Sequence, residues 1–189
     1  MISNYSENFV KLKSNCIIGQ YSCAELKKSH GIFNQQNQWK GIKYYDAYSK
    51  VSDKLWNLIP CRFHDDFKLR IMTINCHIPP HTDSNILCTL NVYILPGDSI
   101  TKFYTSNGYA ITKKLESQTN GSIFDKSCLT YTDGFTALAN EVYLLDVTVP
   151  HEVEPIDKEI SVERVVMCLQ SRNHTFHETY EMLQETNNI

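Results

Sequence analysis

The strongest constraint on the fold comes from residues 67–171, where short segments rich in Val, Ile, Thr, Tyr and Phe are separated by turn residues. The predicted strands are FKLRIMTINCHI, LCTLNVYIL, TKFYTS, GYAITKKL, EVYLLDVTV and VERVVMCLQ, and the turn residues are Pro79-Pro80, Pro96-Gly97, Asn107-Gly108 and Asn120-Gly121. Six or more strands in about a hundred residues, with no helices between them, indicate a sandwich or a barrel.

The flanking regions predict helices. Before the strands, Ser22 and Glu25 form a capping-box pattern that begins the short helix CAELKKSH, and a second helix covers VSDKLWNL and ends before Pro60. After the strands, Thr175 and Glu178 form another capping box at the start of an amphipathic segment. The sequence therefore predicts a mainly β protein with helices at both ends.

The length of 189 residues is typical of one domain, which would bury roughly two-thirds of its unfolded surface. We expect a single domain over residues 1–189. It comprises a helical or irregular support region at 1–66, a β-barrel core at 67–171 and a C-terminal helix at 172–189.

The amino-acid composition limits the classes of binding partner and the cellular compartment that we expect. Eighteen basic and twenty-one acidic residues give a net charge of −3, with no long basic block of the kind that binds nucleic acid or anionic membranes. Seven cysteines without a Cys-x-x-Cys pair are typical of a reducing compartment. Because no secretory leader or apolar span is evident in the sequence, we expect a soluble, cytoplasmic protein.

Two His-x-Asp motifs are candidate metal ligands. On an extended chain, residues i and i+2 point to the same side, so His81 and Asp83 of CHIPPHTDS can approach one ion. The other motif, His64-Asp65-Asp66, precedes the strand-rich region and reads as a polar loop. The first motif joins two predicted strands, and we therefore favour it.

The segment EVYLLDVTVPHEVEPIDKEISVERVVMCLQ supplies two further candidates. An apolar strand ends at His151, a polar turn follows, and the last strand begins at Arg164. Two histidines and one carboxylate form the facial triad of non-haem Fe(II) sites, which leaves three coordination positions open. Arg164 needs an anionic partner. That partner is either a bound dicarboxylate or, at a strand edge on the surface, Glu159 or Glu163.

In this order, these residues resemble the motif of the Fe(II)/2-oxoglutarate-dependent oxygenases, and the match covers about residues 67–171. Two segments also resemble the family's sequences around its metal ligands, namely KLRIMTINCHIPPHTDS and LLDVTVPHEVEP. The resemblance implies a double-stranded β-helix, which is a jelly-roll barrel of cupin type. It also implies that Fe(II) is held by His81, Asp83 and His151, that 2-oxoglutarate is held by Arg164, and that O2 is the oxidant with ascorbate as a reductant.

Further contacts to 2-oxoglutarate are expected on LCTLNVYIL. Many members of the family carry a tyrosine on the strand before His-x-Asp, and KLRIMTINCHI has none. Asn91 and Tyr93 share one face of their strand and either line the cavity as replacements or serve ordinary packing.

The resemblance implies an enzyme that hydroxylates a peptide, an amino-acid side chain or a small metabolite. Two alternatives stay open, namely a cupin-like metal-binding barrel without 2-oxoglutarate chemistry and a non-catalytic binding module.

Four other side chains are given structural roles by the sequence. We expect Tyr44 to pack in a core between helix and barrel, His174 and His177 to be solvated at a helix start, and Asp146 to cap a turn or orient His151.

Overall fold

The computed structural model describes residues 6–13, 32–33, 41–46, 53–83, 85–107, 111–114, 121–157 and 163–189. The strands in these ranges are β1 Phe9–Lys11, β2 Ile32–Phe33, β3 Ile42–Asp46, β4 Phe67–Ile74, β5 Ile78–His81, β6 Cys88–Leu95, β7 Ser99–Ser106, β8 Ile111–Lys114, β9 Ser122–Phe124, β10 Leu129–Phe135, β11 Val142–Asp146, β12 His151–Pro155 and β13 Arg164–Ser171. The helices are α1 Asp53–Trp56 and α2 Phe176–Glu185, and 3-10 helices cover Cys61–Asp66 and Lys126–Cys128.

The strands form two antiparallel sheets whose order defines a jelly roll. The first sheet has the order β1-β11-β6-β13-β4-β3-β2, and the second has the order β10-β7-β12-β5-β9-β8. From β4 to β7 successive strands lie in alternate sheets, and the alternation resumes from β10 to β13 after β8 and β9 have extended the edge of the second sheet. This is the double-sheet arrangement of cupin-type barrels, so the predicted fold class is confirmed.

The first sheet extends beyond the predicted barrel core. β1, β2 and β3 come from the region expected to be helical or irregular, and that expectation is wrong for them. They are two to five residues long, too short for a period-2 pattern to stand out. β1 and β3 pair with the barrel strands β11 and β4, and β2 pairs with β3. The predicted helix CAELKKSH lies outside the described residues, and α1 lies within VSDKLWNL. The single-domain prediction stays a prediction.

Of the strands at 67–171, β5, β9, β10 and β12 were not predicted, and in β5 and β12 prolines and charges mask the strand pattern. Pro79 and Pro80 were expected to form a turn, but they lie inside β5. Proline lacks the N–H that a ladder needs, and β5 pairs with β12 only through Ile78 and His81, with an irregular register between them. Similarly, residues 151–155 form β12 where a polar turn was expected.

The core lies on both faces of the first sheet. One face packs against α2, which begins with the predicted capping box between Thr175 and Glu178 and buries Phe176 and Leu183. The opposite face, with residues such as Tyr93, packs against the second sheet in a separate cluster. The candidate site lies on this inner face. Among the described residues, no helix is both long and apolar enough to span a membrane.

Candidate metal centre

Three potential metal ligands converge between the two sheets. His81 ends β5, Asp83 follows it, and His151 begins β12 directly opposite His81 in the register. Asp83 Oδ1 lies 3.4 Å from His81 Nε2 and 3.9 Å from His151 Nε2, and the three ligand atoms are all within 4.8 Å of one another. Bonds of about 2.1 Å to one ion place neighbouring ligand atoms about 3–3.4 Å apart, so the spacing suits a shared ion after small side-chain movements.

Thr82 explains why the first two ligands point the same way. Its backbone N–H donates to Ser122 O at 2.9 Å, and its Oγ1 accepts from Ser122 N–H at 3.2 Å. The backbone N–H of Asp83 donates to Val147 O at 3.0 Å. Thr82 is therefore tied to β9, while His81 and Asp83 on either side of it are directed to the interior.

Both imidazole rings are oriented by backbone carbonyls. His81 Nδ1 lies 2.8 Å from Pro79 O, and His151 Nδ1 lies 3.0 Å from Val149 O. A carbonyl oxygen only accepts hydrogen bonds, so each Nδ1 carries the proton, and when the rings are neutral each Nε2 presents its lone pair. Metal-binding histidines commonly have such an orienting bond.

The protonation states also suit a cation. Burial, together with the charge of His81, lowers the pKa of His151 to about 4 despite the opposing effect of Asp83. Burial raises the pKa of Asp83, but the hydrogen bond with His81 and the charge of His151 outweigh it and lower the pKa overall. At neutral pH His151 is neutral and Asp83 is ionised, which are the forms that bind metals.

Arg164 projects from β13, a central strand, and is only 2 % exposed. Its Nε donates to Pro96 O at 3.1 Å and its Nη1 donates to Thr101 Oγ1 at 3.0 Å, while the guanidinium lies 4.8 Å from the centre of the Tyr93 ring. Within the described part of the chain, no acceptor reaches Nη2. The alternative of a strand-edge surface cation, paired with Glu163 or Glu159, is therefore wrong for the buried Arg164, and Glu159 lies outside the described residues. Burial lowers the pKa of Arg164.

Asn91 and Tyr93 line the same pocket as the triad and Arg164. Both lie on β6, beside β13, and their side chains face the interior as the strand parity predicted. Asn91 Oδ1 accepts from Thr89 Oγ1 at 2.8 Å. The structure supports their position in the cavity wall, and a role in binding a cosubstrate stays a prediction.

Thr101 and Tyr44 are two of the pocket residues that the sequence analysis missed. Thr101 on β7 reaches Arg164 across the barrel, and nothing in the sequence marked it. Tyr44 was expected in a core between helix and barrel, but it lies on β3 and lines this pocket. Burial and the nearby charge of Asp83 raise the pKa of Tyr44. The pairing of Tyr44 with Met72, which is also in the pocket wall, was not visible in the sequence.

The other His-x-Asp motif has structural partners instead. His64 Nε2 lies 3.0 Å from Trp56 O and 2.9 Å from Ile59 O. Asp66 accepts from Asn173 at 2.7 Å and lies 3.0 Å from His174 Nε2. The motif thus joins the 3-10 helix Cys61–Asp66 to the segment before α2.

Of the remaining expectations, the one for His174 is wrong, and those for His177 and Asp146 are confirmed. His174 is not solvated as expected, because it pairs with Asp66 and stacks on Phe67 at 5.9 Å. His177 is exposed, as expected. Asp146 caps a turn by accepting from Thr148 N–H at 2.9 Å, which confirms that expectation.

Comparisons with known proteins give distant structural similarity. No protein-family model matches the sequence, and no curated protein matches it. Vicilin from Corylus avellana (hazelnut) is 14% identical with a TM-score of 0.42, over 77% of this chain and 32% of vicilin. A mutant of Bacillus subtilis oxalate decarboxylase is 14% identical with a TM-score of 0.38, over 79% and 29%. Vicilin from Solanum melongena is 13% identical with a TM-score of 0.40, over 74% and 30%.

The matched region is about a third of those chains. The strand order alone establishes the jelly roll, and the site is defined by its own geometry. Fold and site together define a class, a jelly-roll barrel with a candidate His/Asp/His metal centre.

Proposed function

We propose that the protein is an Fe(II)- and 2-oxoglutarate-dependent oxygenase of the hydroxylase type. The observation that carries this proposal is the buried guanidinium of Arg164, whose Nη2 finds no acceptor among the described residues in a pocket shared with the triad. A buried cation is costly without an anionic partner, and a guanidinium suits a carboxylate in two-pronged geometry. A dicarboxylate cosubstrate supplies that partner.

The donor set fits Fe(II). His81, Asp83 and His151 offer two imidazole nitrogens and one carboxylate oxygen, without the thiolate that favours zinc. The chemistry supplied by bound Fe(II) is the oxidative decarboxylation of 2-oxoglutarate to succinate by O2, coupled to hydroxylation of a second substrate. Ascorbate serves as an external reductant.

The residues of the chain bind and orient the reactants. His81, Asp83 and His151 would hold the cation at the wall of the pocket that they line. Arg164 binds the distal carboxylate, Thr101 fixes the direction of the guanidinium, and the Tyr93 ring lies against its face. The wall is largely apolar, with residues such as Val153 and Val166, and it limits the access of water to the site.

The pocket and the net charge of the chain bear on the substrate class. We propose a peptide, an amino-acid side chain or a small metabolite, because the site lies inside a pocket and the net charge of −3 gives no general attraction for nucleic acid.

The alternative is a metal-binding barrel without 2-oxoglutarate chemistry, either as another enzyme or as a binding module. It requires only the triad and leaves Arg164 Nη2 without a role. An anaerobic titration separates the two proposals, with Fe(II) added first and 2-oxoglutarate second while the weak visible charge-transfer band of the chelate is followed. The oxygenase requires the band in the wild type and its loss in Asp83→Ala. Iron binding without any binding of 2-oxoglutarate would favour the alternative.

A further inference from the structure

A fully buried carboxylate lies directly behind the candidate metal centre. Glu152 follows His151 on β12, so its side chain points to the opposite, outer face of the second sheet. The Glu152 side chain nevertheless has 0% exposure. It has no place among the residues that line the pocket.

Three side chains satisfy this carboxylate. Glu152 Oε1 lies 2.6 Å from His77 Nε2, and Oε2 lies 2.8 Å from Lys126 Nζ. The Tyr104 hydroxyl donates to Oε2. Glu152 is therefore enclosed by donors, which is the condition under which a buried carboxylate is tolerated.

Each partner belongs to a segment that also positions a metal ligand. His77 directly precedes β5, which ends at His81. Tyr104 lies on β7, where its neighbour Phe103 is paired with His151. Lys126 follows β9, and β9 pairs with His81 through Ile123 and bonds to Thr82 through Ser122.

The β5–β12 ladder is weak in the region where Glu152 makes these contacts. Pro79 and Pro80 have no N–H, and the two strands pair only through Ile78 and His81. A one-residue slip of β5 would turn His81 away from the interior, because side chains alternate between faces. The β5–β12 ladder by itself therefore specifies the register poorly, and the Glu152 contacts add to the restraint that β9 provides through Ile123 and Ser122.

We propose that Glu152 is a positioning residue for the metal centre. Through His77, Tyr104 and Lys126 it holds β5, β7 and the segment after β9 against β12, in the register that brings His81 and His151 together. This inference rests on the proposed function, since it assumes that the triad binds a cation.

A matched control exists in the other sheet. Glu141 is also buried and also held by a lysine and a tyrosine, Lys11 and Tyr143. It lies just before β11 in the first sheet, and it is outside both the triad and the pocket lining. Glu141→Gln therefore reports what a comparable loss of buried polar contacts does to stability alone.

The experiment uses Co(II) as the probe with the chain of 189 residues. Dissociation constants and visible ligand-field spectra are measured for wild type, Glu152→Gln and Glu141→Gln at a temperature where thermal melts show all three folded. We expect both substitutions to lower the melting temperature. Only Glu152→Gln should weaken Co(II) binding, by about 10-fold, and change the ligand-field spectrum.

A milder pair of variants covers the case in which Glu152→Gln does not fold. Lys126 is 48% exposed, so Lys126→Met should fold and weaken Co(II) binding less than Glu152→Gln, while Lys126→Arg should restore it. Wild-type affinity and spectrum in Glu152→Gln, or in Lys126→Met where the former does not fold, would overturn the positioning role and leave the metal centre standing. If the wild type itself does not bind Co(II), the metal centre and this inference both fail.

Discussion

His81 and His151 are direct partners across β5 and β12, and their imidazole rings lie 4.3 Å apart from centre to centre. Residues 70 positions apart in the chain thus face each other on adjacent strands. Because each Nδ1 is bonded to a backbone carbonyl two residues earlier in the chain, both rings present Nε2 to the side where Asp83 lies. The pair is therefore arranged as two ligands of one cation.

The first prediction concerns the choice between the two His-x-Asp motifs. His81→Ala should abolish binding of Fe(II) under anaerobic conditions, because it removes one of three ligands. His64→Ala should leave metal affinity unchanged, because His64 bonds to backbone carbonyls away from the pocket. Titration of both variants checks this. Loss of binding only in His64→Ala would mean that the other motif forms the site.

The second prediction concerns Arg164. Arg164→Ala should weaken 2-oxoglutarate binding by about 2–4 kcal/mol, roughly 30-fold to 1,000-fold, because a desolvated carboxylate loses its partner. Arg164→Lys should recover part of the loss, since it restores the charge without the two-pronged geometry. Metal affinity should barely change. The measurement is a titration of metal followed by 2-oxoglutarate, and equal affinities in all three proteins would contradict the assigned role.

The third prediction concerns turnover without a second substrate. Wild-type protein with Fe(II), ascorbate and O2 should convert 2-oxoglutarate slowly to succinate, because this uncoupled reaction needs only the triad and Arg164. Succinate is quantified against an Asp83→Ala control. If iron is bound and succinate does not exceed the control, the metal-binding barrel without 2-oxoglutarate chemistry becomes the better interpretation.

The fourth prediction links Glu141 to acid stability. Burial raises its pKa, but the hydrogen bonds from Lys11, the Leu138 N–H and Tyr143 lower it overall. A carboxyl whose folded-state pKa is depressed stabilises the fold above the ordinary glutamate pKa of about 4.3, and this contribution is lost as pH falls through the folded-state value.

Urea unfolding of wild type and Glu141→Gln at several pH values tests this linkage. The difference in the free energy of unfolding should be about 1–3 kcal/mol at pH 7 and should shrink below about pH 4. Glu185, in an exposed pair with Arg62, provides the control, and Glu185→Gln should change stability little at any pH. A difference for Glu141→Gln that does not vary with pH would contradict the linkage.

Local patterns determined much of the architecture. The six predicted strand segments all contain strands. Period-2 alternation and β-branched residues favour strands locally, so this preference can be read from residues that are neighbours in the sequence. The capping box at Thr175 likewise depends on residues three apart. The sequence also identified His81, Asp83, His151 and Arg164 as candidates, since residue type and order carry that chemistry.

Tertiary structure alone decided which residues stand beside these candidates. β5 and β12 together carry three prolines and two glutamates, so they become strands only through pairing with each other and with neighbours. Thr101 meets Arg164 from the opposite sheet. Glu152 looks like a surface charge in the sequence, yet it is buried by partners 26, 48 and 75 positions away. Contacts of this length follow from strand order and register, which no local pattern encodes.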